Sequence, residues 1–342
     1  MEYDPENLDE SLRAVPVNPT IVTPTKKRKG WRIFWTIVTC LSVLFNGILF
    51  LMLIGLFAIF ATGHRTVLTE QVIQAGERTN KIAVINLDGM ITGEKAQDIY
   101  SQIKAATDDK NVKALILRIN SPGGTVFASD EIYHEILRYR EKTQKPVVSF
   151  MRGVAASGGY YAAVASDKII AEPTAITGSI GVIMGYMVVQ ELLEGKLGIE
   201  PVVVKSGEKK DWPSSFRPPS PEQLKYLEDK LITPAYERFV KVIADGRDKL
   251  SIDDVKRLGD GSIYWSAEAL EENLIDQIGY LDDAVKLVSD MAGIEKPHVI
   301  EYRKPFSLTG LLGAKSKSLL NIDRNTIYEM STPELLYLWS SY

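Results

Sequence analysis

From Ile33 to Ala61 the chain reads IFWTIVTCLSVLFNGILFLMLIGLFAIFA, with no charged residue. A helix needs about 20 apolar residues to cross a bilayer, and in lipid only a helix satisfies the backbone of a single span. One transmembrane helix over residues 31–62 is therefore expected. A cleavable secretory leader has an apolar core of only about 7 to 15 residues close to the N-terminus. This stretch is longer and follows a polar tail, so it reads as an uncleaved anchor. Lys26, Lys27, Arg28, Lys29 and Arg32 precede it, whereas Arg65 is the one nearby cation that follows. Positive charge stays on the cytoplasmic side, which predicts a single-pass protein of the cell membrane with everything after Gly63 outside the cytoplasm.

Residues 1–30 are acidic up to a basic flank and carry Pro5, Pro16, Pro19 and Pro24 with little apolar period, the composition of a disordered cytoplasmic tail. Residues 63–80 read as a polar tether. From Lys81 short β-branched runs alternate with amphipathic helices, which indicates an α/β domain over residues 81–304. A net charge of -4 over 342 residues provides no basic footprint, so nucleic acid is set aside as a partner. Cys40 is the single cysteine and cannot form an internal disulfide or a Cys-rich zinc site.

Within the domain, 81–91 and 112–120 read as strands, the second a nearly continuous apolar run of the kind covered on both faces. A helix over 131–142 follows INSPGG, then a strand KPVVSFMRG, then a helix from Gly158 to Val164. DKIIAEP and PVVVKSG look like later strands with a helix around 188–195 between them. Ser220 with Gln223 forms a capping-box signature, and Pro221 sits at the first helical position of a long helix. Pro234 should kink that helix, and Leu224, Leu227 and Leu231 mark its apolar stripe. Helices SIDDVKRL and SAEALEENLIDQ and a strand HVIEYRK complete the domain, and residues 305–342 form a C-terminal extension.

Two glycine-rich stretches carry chemistry. In Asn120-Ser121-Pro122-Gly123-Gly124 the glycines let backbone N–H groups approach a ligand closely, as an oxyanion hole requires, although a plain strand-to-helix turn explains them too. In GVAASGGYYAAV, Ser157 lies between a strand and a helix, where it is either a nucleophile or an N-cap. The hydrolase elbow G-x-S-x-G is absent, because Ala155 holds the first glycine position. A nucleophilic serine needs a base, and the histidines are poorly placed. His64 adjoins the membrane, His134 lies on the helix face opposite Ile132 and Ile136, and His298 begins a late strand. The remaining solution is a serine–lysine pair, for which Lys209 and Lys210 stand beside Trp212, and Ser179 in TGSIG could orient an amine or simply occupy a turn. Trp212 and Pro213 are expected to give the lysine apolar cover.

RINSPGG, AASGGYYAA, TGSIGVIM and KSGEKKD, in this order, resemble the signal peptide peptidase A (protease IV) family of membrane-anchored serine peptidases over about residues 81–304. The resemblance implies a Clp-protease/crotonase-like α/β core of repeated strand–helix units and a Ser-Lys dyad. Carried over by motif, Ser157 is the nucleophile, Lys210 the base with Lys209 as runner-up, and Ser179 the group that positions the amine. Gly124 and Gly158 match the oxyanion donors. It further implies short hydrophobic peptide substrates such as remnant signal peptides, no cofactor or metal, and a ring-like homo-oligomer in which Ser157 and Lys210 can come from different subunits. Two other readings stand beside it: a crotonase-like acyl-thioester enzyme, and a membrane scaffold with a degenerate site. The apolar ELLYLWSSY at the C-terminus either docks in the substrate groove and restrains activity or packs on a neighbouring subunit.

Overall fold

The computed structural model describes residues 29–61, 68–303 and 334–339. The expected acidic tail, and the parts of the tether and extension at 62–67 and 304–333, lie outside the described residues. The chain forms two units, divided between Thr66 and Val67. The first contains helix α1, Lys29–Ala61, whose window Gly30–Gly55 is long and apolar enough to cross a membrane. Its Asn46 amide turns back onto the Ser42 carbonyl at 2.7 Å, which reduces the number of free polar groups on an otherwise apolar rod.

In the second unit the order is β1 Thr69–Gln74, β2 Glu77–Asp88, α2 Gly93–Asp108, β3 Val112–Ser121, β4 Gly123–Thr125, α3 Val126–Thr143, β5 Val147–Ala156, α4 Gly158–Ala163, β6 Lys168–Ala171, β7 Ile176–Gly178 and β8 Ile183–Gly185. After two short helical turns, Glu191–Leu197 and Glu208–Asp211, come α5 Pro221–Leu227, a wide-turn segment Glu228–Ile232, α6 Thr233–Gly246, α7 Ile252–Leu258, β9 Ile263–Trp265, α8 Ser266–Glu271, β10 Gln277–Ile278, α9 Leu281–Ala292, β11 Pro297–Arg303 and β12 Glu334–Leu338.

The main sheet runs β1-β11-β2-β3-β5-β6-β10, parallel from β11 to β10, with β1 antiparallel on its edge. Strand side chains alternate between faces. Along β2, Ala83, Ile85 and Leu87 face the layer of α2, α3 and α4, while Ile82 and Val84 face α9 through Ala284, Val285 and Val288. Both faces are covered, which is why β2 and β3 read as continuous apolar runs. Helices cover the sheet in successive strand–helix units, the expected α/β architecture.

Four expectations about individual elements change. The tether contributes β1, which pairs with β11, so the sheet begins before Lys81. PVVVKSG forms no strand: Val202 and Val204 are 81% and 96% exposed, and among the described residues no strand edge lies against them. β-branched composition favours a strand only where a partner exists. Helix α9 is present where the sequence reading had none, its apolar positions recurring at helical spacing. In the long helical run the Ser220–Gln223 capping box forms as expected, but the wide turn Glu228–Ile232 divides the run, so Pro234 sits in the first turn of α6 and not inside one continuous helix. Of its stripe, Leu227 is buried while Leu224 and Leu231 are exposed.

A second, three-stranded antiparallel sheet bears on function. β12 lies between β4 and β8, with Tyr337 opposite Gly124, Leu338 opposite Gly123, and Leu336 opposite both Thr125 and Ile183. The C-terminal segment thus fills a slot between INSPGG and TGSIGVIM on its own chain.

Candidate active site

Strand β5 ends at Ala156 and α4 begins at Gly158, so Ser157 has to reverse the chain alone. It does so at φ +52° and ψ -115°, a region that costs a residue with a side chain about 1–3 kcal/mol. An N-capping serine has extended backbone and a side-chain bond into the first turn. Ser157 has neither, which removes the capping alternative. It is 1% exposed, and its Oγ has no hydrogen-bond partner among the described residues. The strained strand-to-helix turn of a nucleophile elbow is therefore present without the glycine pattern that usually announces it.

Gly158 fits its position because it has no side chain. A Cβ there would lie 2.4 Å from Ser129 Oγ, 3.3 Å from Gly123 Cα and 3.2 Å from the Tyr337 carbonyl oxygen. At Gly123, with φ +102°, a Cβ would come within 2.0 Å of the same oxygen. Ile91 N donates to Gly123 O and Thr125 N to Ile91 O, which leaves the N–H of Gly124 facing β12 opposite Tyr337. Gly124 and Gly158 thus converge on one peptide carbonyl. Gly123, the other glycine of that stretch, joins them in the close approach.

Ser179 is 8% exposed and also has positive φ, +49°. Ser157 N donates to the Gly178 carbonyl at 2.7 Å, which ties Ser179 to the turn of Ser157. Ser179 opens onto a cleft of about 460 Å³ with Gly181, Tyr236, Asp260, Leu338 and Trp339 on its walls.

The lysines separate. Lys209 Nζ lies 4.5 Å from the centre of the Tyr226 ring and 5.4 Å from that of Trp212, and these rings meet edge to face. Trp212 therefore covers Lys209, not Lys210 as expected. Asp211 is held by Arg217 and Lys205, each at 2.7 Å, and these bonds keep its carboxyl well below the usual carboxylate range. Lys210 is exposed, and its side-chain amine has no hydrogen-bond or ion-pair partner among the described residues, while its backbone N donates to the Gly207 carbonyl at 3.1 Å. No hydrogen bond joins it to Ser157 or Ser179 within one chain. His134 is exposed, and His298 accepts from Gly76 N at 3.1 Å, so neither faces Ser157 as a base. No cluster of metal-ligating side chains forms among the described residues.

An aromatic pocket beside the serine escaped the sequence reading. The Tyr337 ring lies 5.0 Å from Tyr161, nearly parallel, and 4.6 Å from Phe239. Tyr161 donates to Asp130, which Arg238 also holds at 2.9 Å. Burial raises the phenol pKa of both Tyr161 and Tyr337, and the Asp130 bond raises that of Tyr161 further, so both hydroxyls remain donors. The signal lay in GYYAAV, but a tyrosine in a short apolar helix looks the same whether it fills a core or lines a pocket.

Comparison with known proteins places this geometry. The model of peptidase family S49 matches residues 139–295, and that of Clp protease matches residues 68–177. A protein of Enterococcus faecium, provisionally named signal peptide peptidase SppA, is 38% identical over 247 residues, 69% of this chain and 71% of its own length. The chain belongs to peptidase family S49. It is a serine peptidase with a Clp-protease-like α/β core. Protease 4 of Haemophilus influenzae is 37% identical over 60% of this chain and 34% of its own. The chloroplastic serine protease SPPA of Arabidopsis thaliana is 32% identical over 72% of this chain and 38% of its own.

Proposed function

We propose that the peptidase cleaves extended apolar peptides, remnant signal peptides among them, through Ser157 and Lys210. The observation that carries this reading is a peptide carbonyl, that of Tyr337, seated against Gly123 and Gly158 in a strand that runs past a strained, buried, unpartnered serine. In the reaction the neutral Lys210 amine takes the proton from Ser157 Oγ as that oxygen adds to the carbonyl carbon. The Gly124 and Gly158 N–H groups hold the oxyanion, which is the largest contribution such sites make. The ammonium then protonates the departing amine as the C–N bond breaks, and water, deprotonated by the same lysine, releases the acyl group. Ser179 positions the amine, which reaches it through the adjoining cleft.

Lys210 acts on the Ser157 of a neighbouring copy. The support is the exposed, strand-like Val202–Val204, with no strand edge against it among the described residues, and a few residues later a Lys210 amine that has no partner among them. Packing in a homo-oligomer would give the amine the burial it needs to be neutral, since an unperturbed lysine has a pKa of about 10.4. The basic cluster that precedes the apolar stretch orients the enzyme with its peptidase domain outside the cytoplasm, and Glu334–Leu338 restrains it by filling the groove. An acyl-thioester enzyme or a degenerate scaffold would leave Ser157 unreactive.

The test is to mix two inactive chains, Ser157→Ala and Lys210→Ala, in detergent. Activity restored on mixing, with a fluorophosphonate labelling Ser157 in the native chain, is the expected result. Full activity of Lys210→Ala alone, or no labelling of Ser157, would refute the dyad. Inactive single variants with an inactive mixture would refute the shared site.

A further inference from the structure

Helix α1 is apolar on one side only. Every hydroxyl and carboxamide side chain between Ile33 and Ala61 belongs to Thr36, Thr39, Ser42 or Asn46. At about 100° of rotation per residue these four fall within about 120° of arc, while Ile37, Leu41, Leu44 and Ile48 occupy the opposite side. We propose that this polar face pairs with the same face of a second copy of the chain, α1 against α1 in parallel, with the two Asn46 carboxamides hydrogen-bonded to each other in the middle of the bilayer. The proposal rests on α1 crossing a membrane and is independent of the peptidase chemistry.

Asn46 lies 13 residues from Ile33 and 15 from Ala61. At about 1.5 Å per residue it is roughly 20 Å from either end of the stretch, near the midplane of a hydrocarbon core about 30 Å thick and out of reach of headgroups and water. Thr36 and Thr39 donate to the carbonyls of Arg32 and Trp35, each at 2.8 Å, so their protons are settled within the helix. Asn46 is not settled. Its Nδ2 donates to the Ser42 carbonyl at 2.7 Å and lies 3.3 Å from Ser42 Oγ, whereas its Oδ1 accepts no hydrogen bond from any described residue. Hydrocarbon penalises a bare acceptor, and neither acyl chains nor an apolar peptide held in the same bilayer offers it a donor. A second copy of α1 does so at the same depth, because chains inserted by the same charge rule run parallel. A carboxamide both donates and accepts, so two of them satisfy each other about a twofold axis. The spacing agrees. Thr39, Ser42, Asn46, Leu49 and Leu53 follow the alternating steps of three and four of a heptad seam, the pattern of a left-handed helix pair in which one polar residue fixes the register.

The experiment uses the full chain in lipid membranes, with Cys40→Ala as background and a single cysteine introduced by Leu49→Cys or Leu53→Cys on the seam, or by Leu44→Cys or Ile48→Cys opposite it. Oxidation should give disulfide-linked dimers from the first two variants and none from the others. Diluting the Leu53→Cys chain with lipid gives a midpoint for the loss of dimer. Adding Asn46→Leu should move that midpoint about three- to thirtyfold towards higher protein content, the value of one interhelical hydrogen bond. Both chains carry the same peptidase domain, so its own association cancels in the comparison. Asn46→Gln keeps a carboxamide and should recover most of the shift. Dimers from both faces alike, or from Leu44→Cys and Ile48→Cys alone, would overturn the pairing face, and a midpoint within about twofold on Asn46→Leu would overturn the amide contact. A disulfide to a protein of another mass in place of the dimer would overturn the second copy as partner. Release of the native chain by alkaline carbonate would overturn the membrane premise and the proposal with it, while labelling of Ser157 judges the peptidase reading separately.

Discussion

Replacing Tyr337 by alanine should open the groove without unfolding the domain. Its ring is fully buried, stacked on Tyr161 and Phe239, and its hydroxyl bonds Ala235. Truncating a buried aromatic side chain costs about 3–5 kcal/mol. If β12 is a removable occupant, that loss falls on its docking equilibrium and raises the undocked fraction by a factor between about 10² and 10⁴. The readout is the rate at which a fluorophosphonate labels Ser157, proportional to the undocked fraction until undocking is nearly complete. A rise of at least about tenfold is expected from an occupant held by this one anchor. The melting temperature supplies the second measurement. A loss of 3–5 kcal/mol felt by the whole domain would lower Tm by roughly 6–20 °C, whereas a departing strand can lower it only by its own docking free energy. Labelling within twofold of the native rate, with Tm reduced by the full amount, would refute the argument and make β12 an integral part of the core.

Gly158→Ala should abolish labelling and cleavage, because its Cβ would meet Ser129 Oγ at 2.4 Å and crowd the seated carbonyl at 3.2 Å. Adding Ser129→Ala should recover Tm but not activity, and recovered activity would refute the carbonyl-crowding argument. Lys210→Ala and Lys210→Arg should both lose peptide cleavage, the latter because a guanidinium does not deprotonate, while Lys209→Ala keeps it; the reverse result in a peptide assay would transfer the base to Lys209. Arg247 holds Asp276 at 2.7 Å, and although burial pushes the Asp276 carboxyl up, the Arg247 bond and charge, Ile169 N–H and Lys168 bring it below its usual range. A carboxylate with a lowered pKa stabilises the fold fully above about pH 4 and loses that contribution as pH falls through the lowered value. Asp276→Asn should therefore cost about 3 kcal/mol at neutral pH by leaving Arg247 buried and unpaired, with the gap to the native chain narrowing below about pH 4 in denaturant titrations. An unchanged gap there would refute the assignment.

The parallel core was legible because burial on both faces leaves a signature within each strand: the apolar run at 112–120 requires no knowledge of its neighbours. What depends on distant partners was not legible. Val202–Val204 has strand composition, yet a strand exists only where another edge receives it. The separation of Lys209 from Lys210 depends on Tyr226, more than a turn of chain away, whose ring captures one amine and leaves the other. Ser157 was reachable as a candidate nucleophile from AASGG and its setting, but its backbone geometry was hidden because Ala155 breaks the familiar glycine pattern. Tyr161 and Phe239 lie on faces that would read the same in any core, and only β12 reveals that they wall a pocket.

The positive φ of Ser157 also sets a limit on how stable an active form of this domain can become. The turn at φ +52° suits glycine and strains every residue with a Cβ. Of two inactive variants, Ser157→Gly should thus melt above Ser157→Ala, despite glycine's greater freedom when unfolded. The ordering would be reversed if the turn were relaxed. Selection for thermal tolerance alone would push this position towards glycine, whereas the proposed nucleophile requires the hydroxyl that only the strained serine supplies.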